Sequence, residues 1–211
     1  ASGGKHHIDG GDGSDTVDYS KAILHFGPAL TINLATGSAS AAFGNDTFTS
    51  IENITGTSMA DTITGNNVSN ILKGGGGDDT IITGSNGDDS LYGQNGNDTI
   101  VINSARVIGV DLHINGGSGT DTLDLRATPS IRDLTLDLTT GSNNFNATVI
   151  SIEKVIGGQG DDTLTGGNGT ILDGHSGNDT LIATSGGVTL QGGAGNDIKI
   201  KTRKRKTMKK T

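Results

Sequence analysis

Of the 23 acidic residues in this 211-residue chain, only Glu52 and Glu153 are glutamate; the rest are aspartate, and many recur at one position of a nine-residue pattern. The pattern is G-G-x-G-x-D-x-U-x, with U a large apolar residue. Aspartate has a short side chain that tolerates turns and reaches a metal held by its own loop, whereas glutamate is longer and less confined. The first six residues of a unit carry up to three glycines, which permit positive φ and let backbone carbonyls converge on one spot. Carboxylate and carbonyl oxygens together make a site for a hard cation.

Full matches are Gly10 to Asp18 (GGDGSDTVD), Gly74 to Ile82 (GGGGDDTII), Gly116 to Asp124 (GGSGTDTLD) and Gly157 to Thr165 (GGQGDDTLT). Near matches begin at Gly84 (GSNGDDSLY), Gly93 (GQNGNDTIV), Gly174 (GHSGNDTLI) and Gly192 (GGAGND). Degenerate units at Gly56, Gly65, Gly166 and Ala183 fill the gaps in register and give two stacks, each built from consecutive nonapeptides. The sixth aspartate is replaced by Asn70 in the unit at Gly65 and by Val188 in the unit at Ala183, and it is missing from the short unit at Gly166. Those turns are expected to lack full sites, leaving each stack loaded mainly on one edge.

The last three residues of a unit, as in Thr80-Ile81-Ile82, suit a short strand whose middle side chain faces the interior. Two nonapeptides then make one coil, so turns one coil apart stack on the same edge. Asp79 is expected to face Asp98, Asp162 to face Asp179, and Asp179 to face Asp197. These carboxylates repel unless a cation bridges them. Calcium, taking six to eight oxygens in loose geometry, fits better than magnesium, which demands a tight octahedron.

A longer repeat overlies the nonapeptides. TINLATG at Thr31 followed by SIENITG at Ser50 returns as TLDLTTG at Thr135 followed by SIEKVIG at Ser151. These spacers alternate apolar residues (Leu30, Ile32, Leu34; Leu134, Leu136, Leu138), the period of a strand. The expected organisation is a leader at 1–9, a glycine-rich unit with spacer at 10–55, and a first stack at 56–102. A linker, unit and spacer follow at 103–156, then a second stack at 157–198 and a basic, disordered tail at 199–211.

The units resemble the repeats-in-toxin (RTX), or haemolysin-type, calcium-binding family. The resemblance implies an all-β fold, a right-handed parallel β-roll or β-helix solenoid with less regular β spacers, holding several calcium ions between its turns. It implies as ligands the sixth-position aspartates Asp15, Asp79, Asp89, Asp98, Asp121, Asp162, Asp179 and Asp197. Carbonyls at first and third positions would complete them: Gly74 and Gly76, Gly93 and Asn95, Gly157 and Gln159, Gly174 and Ser176, Gly192 and Ala194. The lone units at Gly10 and Gly116 are half-sites unless a spacer supplies oxygens. The resemblance further implies a bacterial protein, secreted or at the cell surface, exported by a type I secretion system and folding on calcium outside the cell. It leaves open a surface or adhesion module that binds polysaccharide or cells, and an accessory module of a larger extracellular enzyme such as an alginate epimerase, protease or lipase.

Composition excludes several other classes. Hydrophobic residues make up 31% and aromatics 3%, with no Trp and no Cys, so neither a conventional layered core nor a disulfide framework is expected. Seven basic residues against 23 acidic ones leave residues 1–198 at −16, a body that repels nucleic acid and attracts divalent cations. No apolar run approaches the roughly 18 residues of a membrane span. The chain begins at Ala1 without a signal peptide and reads as a fragment or processed product. His6, His7, His25, His113 and His175 have no transition-metal spacing, and there is no G-x-S-x-G elbow, P-loop or dinucleotide fingerprint. No catalytic site is expected in this segment.

Overall fold

The computed structural model describes residues 4–21, 29–41, 44–103, 111–128 and 133–202. His25 and the basic residues from Arg203 onward lie outside them. Among the described residues there is no helix, and the strands form sheets of eleven, six and five members. Most strands are three to six residues long, the length that a T-U-x unit supplies before the next glycine-rich turn.

The chain alternates between two faces. From Thr16–Asp18 in the six-stranded sheet it crosses to Thr31–Asn33 in the eleven-stranded sheet, returns at Asn53–Thr55, and continues to alternate. Beyond Thr122–Asp124 the return strands Thr135–Asp137, Thr163–Gly166, Thr180–Ala183 and Ile198–Lys201 belong to the five-stranded sheet. The eleven-stranded sheet runs through both stacks, so the boundaries expected at 103 and 156 do not interrupt it. The fold is an all-β parallel β-roll.

Parallel pairing keeps every strand in register, and the register lines up the inward residue of each unit. Ile32, Ile63, Ile81, Ile100, Leu123, Val155 and Leu172 form one unbroken column along the long sheet, each 0% exposed. Opposite them Ile54, Leu72, Leu91 and Ile114 form a second column, and Leu136, Leu164 and Leu181 a third. Aliphatic side chains meeting from two sheets make a thin core, to which the spacers add Phe48 and Phe145.

The spacers are less regular because parts of them fold back. Ser38–Ala41 pairs antiparallel with Thr31–Asn33 and with Gly44–Thr49, and Ser142–Asn143 pairs antiparallel with Thr135–Asp137. At the other end, the strand Ile198–Lys201 runs past the boundary expected at 198 and pairs in parallel with Thr180–Ala183, because backbone pairing does not depend on the side chain. Lys199 there shares the register of buried Leu181, yet all four residues of its strand are exposed. The apolar column ends at that point.

Candidate calcium-binding edges

The glycine-rich turns occupy two edges of the roll. Edge I leads into the long sheet and carries Asp61, Asp79, Asp98 and Asp121, each just before its strand. Edge II leads into the other two sheets and carries Asp15, Asn70 and Asp89, then Asp162, Asp179 and Asp197. The turns that lack the sixth aspartate are Asn70 on edge II of the first stack and Thr170 and Val188 on edge I of the second. The richest aspartate ladder therefore changes edges part-way along the roll.

One carboxylate oxygen of all these aspartates but Asp15 knits neighbouring coils together. The Asp61 amide donates to Oδ1 of Asp79 at 2.7 Å, the Asp79 amide to Oδ1 of Asp98 at 2.8 Å, and the Asp98 amide to Oδ1 of Asp121 at 2.8 Å. On edge II the Asp162 amide donates to Asp179 at 2.8 Å and the Asp179 amide to Asp197 at 3.1 Å. The three aspartate pairs expected from spacing are thus adjacent. Position-five side chains make a parallel, exposed ladder, in which Asp78 accepts from the Asn97 amide and Asn97 from the Thr120 amide.

The second oxygen is what distinguishes the turns. Oδ2 of Asp15, Asp79, Asp98, Asp121 and Asp179 is buried without a hydrogen-bond partner. Asp79, Asp98, Asp121 and Asp179 are themselves 0–1% exposed. A buried anionic oxygen without a donor is costly, by about 1–3 kcal/mol or more for a charged group. Elsewhere the oxygen is occupied: Oδ2 of Asp61 accepts from the Thr57 amide at 2.6 Å and the Thr57 hydroxyl at 2.9 Å, and Oδ2 of Asp162 accepts from the Gly158 amide at 2.8 Å. Asn70 closes its turn with an amide, donating to the Glu52 carbonyl at 2.8 Å and accepting from the Asn66 amide at 2.9 Å.

First-position glycines mark where these oxygens converge. Strand pairing passes over Gly74 and Gly93, resuming at Gly75 and Gln94. A methyl group at Gly74 would lie 2.1 Å from Oδ2 of Asp79 and 2.8 Å from the Gly93 carbonyl oxygen. At Gly93 it would lie 2.2 Å from Oδ2 of Asp98 and 2.4 Å from the Gly116 carbonyl oxygen. On edge II, Gly174 stands in the same relation to Asp179 and Gly192, and Gly157 to Asp162 and Gly174. Each point joins the aspartate of one turn to the first carbonyl of the next, an oxygen pair suited to calcium. Among the described residues no three His, Cys, Asp or Glu side chains gather at one place, so a cation held at these points would need backbone carbonyls beside the carboxylates.

The third positions are tied into the ladder. Gly76 and Asn95 pair in register, and Ser176 bridges Ala194. The Ala194 carbonyl accepts the Gly177 amide at 2.9 Å, while Gln159 is exposed. Asp89 is buried beside Asn70, whose amide donates to it at 2.9 Å, and Asp197 is half-buried on the last turn.

Electrostatics agrees with this geometry. Burial pushes the Asp79 and Asp89 carboxyls up to about 7 and those of Asp98 and Asp162 up to about 6, against the opposing pull of backbone amides. Neighbouring carboxylates add to the rise, Asp98, Asp61 and Asp78 at Asp79 and Asp121 and Asp78 at Asp98. Burial also raises Asp121, with Glu153 adding, and Asp179, with Asp197 adding. A row of such groups is poised to exchange protons for a divalent cation.

The spacers contribute oxygens that spacing alone did not assign. Glu52 Oε2 accepts the Asp15 amide and Glu153 Oε2 accepts the Asp121 amide, each at 2.9 Å, so the two glutamates take the next rung of their ladders. The signal was the duplicated S-I-E triplet, which is visible in both spacers.

The profile of the RTX calcium-binding nonapeptide repeat matches residues 3–20, 55–85, 81–101, 113–127, 152–170 and 173–198, more than half of the chain. No curated protein sequence gives a significant match. Repeats of this family are structural calcium sites rather than catalytic ones. With aspartate ladders on two edges of a parallel roll and carbonyls meeting their free oxygens, the chain belongs to the RTX calcium-binding nonapeptide repeat family and is a β-roll module that binds several calcium ions.

Proposed function

We propose that this module is a calcium-triggered folding switch of a protein secreted by bacteria, unfolded where calcium is scarce and ordered outside the cell. The observation that carries this reading is the run Asp79, Asp98, Asp121: three successive buried carboxylates, each with an unpartnered Oδ2. Bound calcium would supply the positive charge and the coordination that these oxygens lack.

The chain's own residues set the balance. Thirty-six glycines lose much conformational freedom on ordering, and the stacked aspartates add repulsion to that cost. The thin aliphatic core offsets part of it. The turns hold their carbonyls and carboxylates in place only when consecutive coils stack, so binding and folding are one event. Extracellular calcium modules typically have affinities of about 10⁻⁴ to 10⁻³ M, above cytosolic calcium, which keeps such a chain threadable during export. Export through a type I system and the absence of catalysis by this segment belong to the same reading.

Far-UV circular dichroism of the chain, titrated with calcium from chelator to about 10 mM with magnesium as control, tests it. A cooperative, calcium-selective gain of β signal is expected. A spectrum already β-rich in chelator and unmoved by calcium would overturn the switch.

A further inference from the structure

We infer that the turn Gly116–Asp121 and the spacer residues Ser151–Glu153 form a calcium site of mixed origin, and that Gly10–Asp15 and Ser50–Glu52 form a second copy. The inference rests on the calcium-binding reading and extends it to places where no second nonapeptide is present.

Asp121 is 0% exposed and its Oδ2 has no partner. A methyl group at Gly116 would lie 2.4 Å from that oxygen and 2.1 Å from the Ser151 carbonyl oxygen. Between two nonapeptides, the second oxygen at this point is the first-position glycine carbonyl of the next turn. Ser151 supplies it here instead. The serine takes a backbone conformation that non-glycine residues rarely adopt, with φ of 52°. Glu153 completes the mimicry by accepting the Asp121 amide in place of a next-turn aspartate, while the Glu153 and Lys154 amides donate to the Asp121 carbonyl at 3.1 and 2.9 Å.

The first copy repeats these features in another part of the chain. Ser50 also has φ of 52°, and its carbonyl oxygen lies 2.1 Å from the corresponding point at Gly10. Glu52 accepts the Asp15 amide, the Glu52 and Asn53 amides donate to the Asp15 carbonyl, and Oδ2 of Asp15 is buried without a partner. A duplicated spacer that places the same backbone oxygen and the same acceptor at both sites is a ligand-bearing element. It is more than a connection between stacks.

Counting bound ions tests this. Native mass spectrometry of the full chain in saturating calcium chloride is compared for wild type, Asp98→Asn, Asp121→Asn and the double variant. Asparagine keeps an Oδ1 to accept the neighbouring amide, and circular dichroism in saturating calcium checks that each variant is folded. Separate sites predict that Asp98→Asn loses one ion and the double variant two. A double variant that loses no more than Asp98→Asn would overturn the site. Asp15→Asn provides an independent reading at the first copy, where one ion fewer is expected and an unchanged count counts against it. If β content proves indifferent to calcium, the folding switch fails while the ion count still decides the mixed sites.

Discussion

The Asp98 amide donates to Oδ1 of Asp121 at 2.8 Å, while Oδ2 of both residues is buried and unpartnered. The two oxygens of one carboxylate thus differ, one being a rung of the ladder and the other left free for the proposed cation. Replacing Asp98 by asparagine preserves the rung acceptor and removes the ligand charge. The calcium concentration at the folding midpoint is expected to rise at least about tenfold, equivalent to roughly 1.4 kcal/mol. A calcium titration followed by circular dichroism checks it, and an unchanged midpoint would contradict a ligand role.

Proton binding should partly substitute for calcium. In an unfolded chain aspartates titrate near 4, whereas in the calcium-free roll burial places Asp79 and Asp89 at about 7 and Asp98 and Asp162 at about 6. Folding is therefore favoured while these groups are protonated. That contribution is complete below about pH 4 and is lost as pH rises through 6 to 7. Without calcium, β content should be higher at pH 5 than at pH 8; with calcium, apparent affinity should increase over the same interval as protons cease to compete. Equal calcium-free spectra at both pH values would count against this.

Asn70 offers a gain-of-site test. Its side-chain amide donates to the Glu52 carbonyl and to Asn66 Oδ1, closing its turn with a neutral group. Asn70→Asp turns that donor into a charged acceptor facing the Glu52 carbonyl. One further calcium ion is expected by native mass spectrometry, together with lower stability in chelator. An unchanged ion count would show that this turn lacks the remaining oxygens.

The core is thin enough for single columns to matter. Ile100 is 0% exposed between Ile81 and Leu123, so Ile100→Ala should cost about 2–5 kcal/mol in the calcium-loaded protein. Val68 is 45% exposed, and Val68→Ala should change stability by less than about 0.5 kcal/mol. Urea denaturation in excess calcium separates the two.

The nonapeptide made most of the roll legible in the sequence, because its period dictates both the turn and the inward residue. The pairing of Asp79 with Asp98 and of Asp162 with Asp179 followed from counting one coil. Which aspartates keep a free oxygen did not follow. That depends on whether a local donor such as the Thr57 hydroxyl reaches the carboxylate, a matter of side-chain geometry inside the turn. The part played by Ser151 was also hidden, since a backbone carbonyl leaves no mark on residue type. The strand-like alternation of the spacers marks Thr31–Asn33 and Thr135–Asp137, but it carries no sign of the antiparallel arms Ser38–Ala41 and Ser142–Asn143 that pair with them.

Lys199 occupies the register of Leu181 on the neighbouring strand of the five-stranded sheet. Among the described residues its strand, Ile198–Lys201, is the edge of the five-stranded sheet, and an edge strand of a parallel sheet is a template along which a strand of another roll could pair. Placing ammonium groups at Lys199 and Lys201, where an incoming coil would want apolar contacts, makes such addition electrostatically and hydrophobically unfavourable. Lys199 is therefore expected to disfavour self-association along this edge. Lys199→Leu should shift calcium-loaded protein toward larger species in sedimentation velocity.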